Sequence, residues 1–417
     1  MRVRGRGLNF EKDAITLPSA RLVVPALGIT QILAWGSSYY LPAVLANPIA
    51  KETGWPLAWV IAGLSLGLLI AGLISPLVGR RIHDLGGRPV LMASALLLAA
   101  GLTVLAMAPN LQVFIAGWAV MGLGMGAGLY DAAFSTLGRI YGLAARQRIT
   151  TLTLFGGLAS TACWPLSAFF VSELGWRGTC GAYAGIQILV ALPIYLIALK
   201  GPVPPLPTEP KISKSTQSVP DSAARHRALF VLVAVVIMIS SMLSTVVSVY
   251  LLTLFQSRGL TLATAVALGT LVGPSQVGAR FIEMLVSRYH HPIWTKIASV
   301  SLVAIGLLLL WMEIPLVAVC LVCYGAGIGL ESIARATLPL SLFGAADYAP
   351  IMGRLARPSL IAQAATPSIG ALLIQGLGME GMLGVVTLVA LLNVGLVSVL
   401  FLRVAAARRQ AAGLPVA

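Results

Sequence analysis

Between Leu57 and Ala108 the chain reads LAWVIAGLSLGLLIAGLISPLVG (57–79), RRIHDLGGRP (80–89), VLMASALLLAAGLTVLAMA (90–108). Two apolar runs flank ten residues, five of them charged or histidine. A run of about 20 apolar residues matches a hydrocarbon core ~30 Å thick. This stretch therefore reads as two membrane-crossing helices joined by a tight loop. Working outward, similar runs recur at 22–46, 111–137, 149–171, 178–199, 228–254, 261–285, 293–312, 315–343, 350–373 and 379–403, which makes twelve expected spans. The composition agrees. Of 417 residues, 58% are apolar and only 10% charged, against about 25% charged in a soluble domain. A soluble globular enzyme is excluded. The expected class is an all-α membrane protein.

The net charge is +15, from 28 Lys+Arg and 13 Asp+Glu. With an even number of spans, 25 of the 28 basic residues fall on one side, and only Lys51, Arg177 and Arg258 on the other. The 25 include Arg80, Arg81 and Arg88 after the second span, and Arg139, Arg146 and Arg148 after the fourth. Arg280, Arg288 and Lys296 lie around the eighth and ninth, and Arg335, Arg354 and Arg357 around the tenth and eleventh. An excess of Lys and Arg marks the cytoplasmic side. Both termini are thus expected in the cytoplasm. The basic balance is read as topology and attraction to anionic lipid, with no nucleic-acid partner. Cys163, Cys180, Cys320 and Cys323 lie in apolar runs and read as small core residues rather than a disulfide framework.

One long polar segment, 200–227, holds six prolines with Ser, Thr and Lys and reads as a cytoplasmic linker. It separates bundles expected at 22–199 and 228–404. Residues 1–21 and 405–417 are the expected cytoplasmic ends. The halves echo each other. Pro76-Leu-Val-Gly79-Arg80 is mirrored by Pro274-Ser-Gln-Val-Gly278-Ala-Arg280, and Gly122-Leu-Gly124-Met-Gly126 by Gly325-Ala-Gly327-Ile-Gly329. Two like-oriented repeats place a substrate site between them near mid-membrane.

With six spans, a linker and six spans, the loop Gly79-Arg-Arg-Ile-His83-Asp84-Leu-Gly86-Gly87-Arg88, and Gly175-Trp176-Arg177 after span five, the chain resembles the major facilitator superfamily over essentially its whole length. The resemblance implies two pseudo-symmetric six-helix bundles in a bacterial inner membrane and transport by alternating access. It implies a monomer without cofactor or metal and, in many members, coupling to protons. The loop departs from the family pattern. Anchored on Gly79, His83 stands where the family has Asp; anchored on Gly87 and Arg88, Asp84 lies nearer its usual distance.

Charges inside spans are expensive and mark function by default. Asp131, Arg280, Glu331 and Arg335 lie toward the basic side of spans four, eight and ten and, with Asp84 and Arg88, are the expected gate or coupling residues. Glu331 and Arg335 are four apart and share a helix face. No charge is assigned to mid-depth. There the chain offers Gln31, Trp35, Ser38 and Tyr39 in span one, Trp118 in span four and Trp164 in span five. Ser241, Ser244, Thr245 and Ser248 stripe span seven, with Tyr324 in span ten and Gln363 in span eleven. Aromatic rings and hydroxyls without a central charge suit a small neutral or weakly charged organic solute. Two alternatives stay open: organic-anion transport with Arg280 or Arg335 as counter-ion, and metalloid efflux by Cys320 and Cys323. No enzyme motif is present, and no polar segment is long enough for a sensor's output domain.

Overall fold

The computed structural model describes residues 19–201 and 220–411. The expected basic residues Arg2, Arg4, Arg6, Lys12, Lys211 and Lys214, most of the linker and the last six residues lie outside the described residues. Among the described residues there is no strand. In the N-terminal half the helices are α1 (Ala20–Gly36), α2 (Leu41–Thr53), α3 (Leu57–Leu85), α4 (Gly87–Met107), α5 (Leu111–Gly128), α6 (Tyr130–Tyr141), α7 (Ala145–Gly157), α8 (Ala159–Ile186) and α9 (Leu192–Ala198). In the C-terminal half they are α10 (Pro220–Ser257), α11 (Leu262–Gly269), α12 (Val272–Val286), α13 (Pro292–Trp311), α14 (Val317–Phe343) and α15 (Tyr348–Ala411).

Among the described residues, eight helical runs are long and apolar enough to cross a membrane, the longest being Leu111–Ala198 with 88 residues. At 1.5 Å per residue that run would reach about 130 Å if straight, several bilayer cores. It is folded back on itself. The backbone leaves helical geometry at Leu129 and takes positive φ at Gly142 and Gly175. Gly175 (φ 68°, ψ 178°) has a counterpart in the other half, Gly378 (φ 72°, ψ 178°), which breaks α15. A side chain at either position would be strained, so glycine marks both reversals.

The halves repeat in their contacts as well. Ser94 Oγ donates to the Gly124 carbonyl at 2.8 Å, tying α4 to α5. Ser299 Oγ donates to the Gly327 carbonyl at 2.9 Å, tying α13 to α14. The glycine runs let backbones touch, as expected where lipid supplies no hydrophobic drive. A Cβ at Gly122 would sit 2.6 Å from the Gly67 carbonyl oxygen, and one at Gly329 2.5 Å from that of Gln276.

The helix ends gather into two faces. On the face carrying the basic loops, Arg139 Nε donates to the His83 carbonyl and Arg88 to that of Leu196. On the opposite face, Arg177 faces Glu52 at 3.6 Å and donates to the carbonyls of Ala106 and Ala108. In the C-terminal half Arg258 pairs with Glu380 at 2.7 Å and donates to the Leu310 carbonyl. These two clamps have acid and base exchanged between the repeats.

Among the described residues, the cluster whose buried members come from both halves lies at the basic face. It joins Ile82, Leu137 and Ile149 to Ala336, Leu340, Tyr348 and Met352. Toward the opposite face, the buried members of the main clusters come from one half each. The halves are thus locked together at the basic face, chiefly α3 against α15, with α6 against α15 and α7 against α12.

Candidate functional site

Above that shared cluster lies a cavity of about 40 Å³ between the halves. Its walls come from α1 (Trp35) and the following turn (Tyr39), α3 (Ser75), α6 (Tyr130, Asp131), α14 (Arg335) and α15 (Gln363). Trp35 packs against Tyr39 and Tyr130, with ring centroids 5.1 Å apart in both pairs. Tyr130 stacks on Phe134 at 5.0 Å. The floor is ionic: Arg335 Nη2 donates to Asp131 Oδ2 at 2.7 Å, one charge from each half. Ser75 Oγ adds a second link, 3.0 Å to the Gly353 carbonyl. Asp131 Oδ1 is buried without a partner.

Beside this floor, Arg280 is 95% buried, being 5% exposed. Its guanidinium donates to the Thr153 carbonyl of the other half at 3.0 Å, to Gln276 Oε1 at 3.2 Å and to the Gly329 carbonyl at 3.3 Å. All three acceptors are neutral, and it makes no ion pair with another described residue. Its charge acts on the phenols of Tyr40 and Tyr130, and the Tyr130 hydroxyl is itself buried without a partner. The end of α7 supplies the room. A Cβ at Gly156 would collide with the Tyr130 hydroxyl, and one at Gly157 with Arg280 Nη1.

A second ionic centre lies wholly inside the C-terminal half. Lys296 Nζ donates to both carboxylate oxygens of Glu331, 2.6 Å each, and to Ser240 Oγ at 3.0 Å. Ser299 Oγ also reaches Glu331 Oε2 at 3.0 Å, and Asn393 Nδ2 donates to Ser240 Oγ at 2.9 Å. Lys296 is fully buried. By sequence it counts among the basic residues around the eighth and ninth spans, and not among the charges within a span. α13 begins at Pro292, so Lys296 already stands one turn inside the bundle. Glu331 and Arg335 share a helix face but do not pair with each other here. Each finds a stronger partner on another helix.

The remaining candidates divide. Trp35, Tyr39, Gln363, Asp131 and Arg335 meet at the cavity, and Thr245 reaches the Tyr39 hydroxyl from α10. Gln31 stands behind the wall. It is fully buried, donates to the Gly128 carbonyl at 2.6 Å and accepts from the Trp35 indole at 3.3 Å. Ser38 donates back to the Ala34 carbonyl. Trp118 points away from the interface and packs on Gly63 within the N-terminal half. Trp164 is 46% exposed and meets the edge of Tyr40. Ser241 bonds Ser359 at 2.7 Å, Tyr324 donates to the Ser244 carbonyl, and Ser248 is exposed and bonds within its helix. Asp84 is exposed and enters no ion pair with a described residue, while Arg88 braces Leu196. Cys320 is buried and donates to the Leu316 carbonyl. Sequence reasoning missed Tyr130, Gly156, Gly157 and Lys296 as site residues. For Tyr130, its place beside Asp131 was the available signal.

Comparison with known proteins matches this architecture. The family model of the Major Facilitator Superfamily matches residues 27–356. A Pseudomonas aeruginosa relative named transcription regulatory protein OpdE is 26% identical over 166 residues. The match spans 39% of this chain and 39% of that relative's length. The human organic anion transporter MFSD10 (TETRAN) superposes with a TM-score of 0.70 at 16% identity, covering 91% of this chain and 100% of its own. The Escherichia coli fucose:proton symporter FucP gives 0.69 at 13% identity, covering 92% and 99%. At such identities the likeness speaks for the fold. With the family model covering most of the sequence, the chain is a multi-pass membrane protein of the Major Facilitator Superfamily, a family of transporters and not of enzymes.

Proposed function

We propose that this chain is a secondary transporter that moves a small organic monoanion, with an aromatic or otherwise flat body, by alternating access. We read the chain as twelve crossings in two bundles, 22–199 and 228–404, a reading that the reversals at Gly175 and Gly378 support. The basic face is assigned to the cytoplasm of a bacterial inner membrane by its excess of Arg. With the halves joined at that face, the molecule is in its outward-facing arrangement.

The observation that carries the substrate class is Arg280. A buried charge without a counter-ion is costly, so such a group is normally paired. Arg280 has only neutral acceptors, beside an unpartnered tyrosine hydroxyl. An incoming carboxylate supplies the missing charge, takes a hydrogen bond from Tyr130 and sets its body against Trp35 and Tyr40. Arg335 is already neutralised by Asp131 and serves as the gate. The neutral-solute expectation rested on the lack of a free charge near mid-depth, and Arg280 shifts the weight to the anion. The cavity of about 40 Å³, lined by Tyr130 but not by Arg280, has room for a water or two rather than a whole solute. The body of the solute lies toward the open side. A purely regulatory role, after the name of the partial relative, gives no reason for an uncompensated charge at the interface between halves.

The test is thermal unfolding of the purified protein with benzoate and with its neutral amide, benzamide. Benzoate is expected to raise the midpoint and benzamide to leave it unchanged. Arg280→Gln abolishes the benzoate shift, and Arg280→Lys weakens it. Equal stabilisation by the amide, or an undiminished benzoate shift in Arg280→Gln, defeats the anion reading.

A further inference from the structure

The geometry points to Lys296 as a proton carrier, discharged when Arg335 changes partners from Asp131 to Glu331. This rests on the alternating-access reading above and not on the nature of the solute. Four charges make two pairs in the present arrangement: Asp131 with Arg335 across the halves, and Glu331 with Lys296 inside one half. Glu331 and Arg335 are one turn apart on α14, with the acid N-terminal, the favourable order for an i, i+4 pair.

When the basic face opens, α6 moves away from α14 and Arg335 loses Asp131. Asp131 meets water there and stays ionised. Arg335 remains in the C-terminal half, and the nearest carboxylate is Glu331. Once Arg335 turns to it, two cations share one carboxylate in a dry interior. Lys296, fully buried, then keeps only a share of Glu331 and the Ser240 hydroxyl. An ammonium so placed sheds its proton more readily than a guanidinium, which stays charged throughout. The N–H bond of the ammonium breaks, the proton passes to water, and Lys296 is left as a neutral amine. When the face closes, Arg335 returns to Asp131, and Glu331 again favours the protonated lysine. About 10 Å³ lies between Ser240, Ser299, Glu331 and Asn393, next to both partners of Lys296, room for a single water. The Asn393 Oδ1 atom beside it is buried and unpartnered.

The other charged and titratable groups around this centre are accounted for. Glu283 of α12 accepts from Thr295 at 2.8 Å and faces His290 at 3.5 Å. Arg280 of α12 bonds the Gly329 and Thr153 carbonyls. Tyr348 of α15 donates to the Ala336 carbonyl. α10 brings the Ser240 hydroxyl to Lys296, and α15 brings Asn393 to that hydroxyl. Lys296 is therefore the group whose counter-ion changes with the gate. Each opening of the basic face thus delivers one proton inward.

The test needs no solute. Spin labels at Arg81→Cys and Arg354→Cys, both exposed on the basic face, report the distance between halves in liposomes, with the four native cysteines replaced by alanine. Opening releases a proton, so raising the pH favours the open form. The open-to-closed ratio is expected to rise between about pH 6 and 9, by up to about tenfold per unit. Lys296→Arg keeps the ion pair but cannot release its proton, and is expected to hold one ratio at every pH. Lys296→Met with Glu331→Gln removes both charges together and is also expected to be flat. A wild-type ratio that ignores pH overturns the proposal, as does Lys296→Arg with the wild-type slope. A single distance under every condition defeats both this inference and alternating access. Two populations with a flat ratio defeat this inference alone.

Discussion

Replacing Asp131 with Asn removes the one ion pair that joins the halves among the described residues and should release the basic face. The carboxylate and guanidinium are 2.7 Å apart, with side chains 16% and 18% exposed. Removing one partner of a buried pair costs about 3–5 kcal/mol, mostly through the charge left behind. Here the stranded Arg335 has partial access to water and a second carboxylate one turn away. The net shift toward the open form is therefore set lower, at about 2 kcal/mol, or roughly 30-fold in the population ratio. The reporter is Met352→Cys in a chain whose native cysteines are alanine. Met352 is 1% exposed, in the cluster shared by the two halves, so its thiol is reached only when the basic face opens. If opening precedes labelling as a fast equilibrium, the alkylation rate follows the open population. Asp131→Asn should then react roughly 30-fold faster than its parent, by the same conversion, while global unfolding moves little. Alkylation at the parental rate would refute the gate.

Other outcomes follow from the same geometry. Tyr130→Phe should weaken benzoate binding by about 1 kcal/mol, roughly fivefold, and leave stability unchanged, because its hydroxyl has no partner to lose. Glu331→Gln alone should destabilise by about 3–5 kcal/mol in a denaturant titration, whereas Glu331→Gln with Lys296→Met should return close to wild type. Equal losses in the two would mean that packing, not charge, fixes the pair. Gly122→Ala and Gly329→Ala should each cost about 1–3 kcal/mol and lower the unfolding midpoint, since each added Cβ meets a carbonyl oxygen of the neighbouring helix.

The sequence carried most of the fold because lipid imposes simple demands. Run length, basic loops and glycine spacing each follow from one physical constraint, and each left a visible mark. The site was legible only where residue type and depth sufficed, as for Asp131, Arg335, Trp35 and Tyr39. Facing is a different matter. Trp118 has the right type and depth, yet it packs on Gly63 inside one half. Lys296 sits beside a loop in sequence but one turn inside α13 in space, and a single lysine near a boundary carries no sign of which way it turns. The role of Arg280 depends on what is missing around it. Only the positions of Thr153, Gln276 and Gly329 reveal that its acceptors are all neutral. Gly156 and Gly157 read as ordinary helix-packing residues until the groups they make room for are placed.

The most direct measurement is uptake of radiolabelled benzoate into liposomes containing the purified protein, with protein-free and Arg280→Gln liposomes in parallel. The account predicts time-dependent, saturable uptake by the wild type alone. Uptake that persists in Arg280→Gln, or carboxylate movement no faster than through bare lipid, would contradict it.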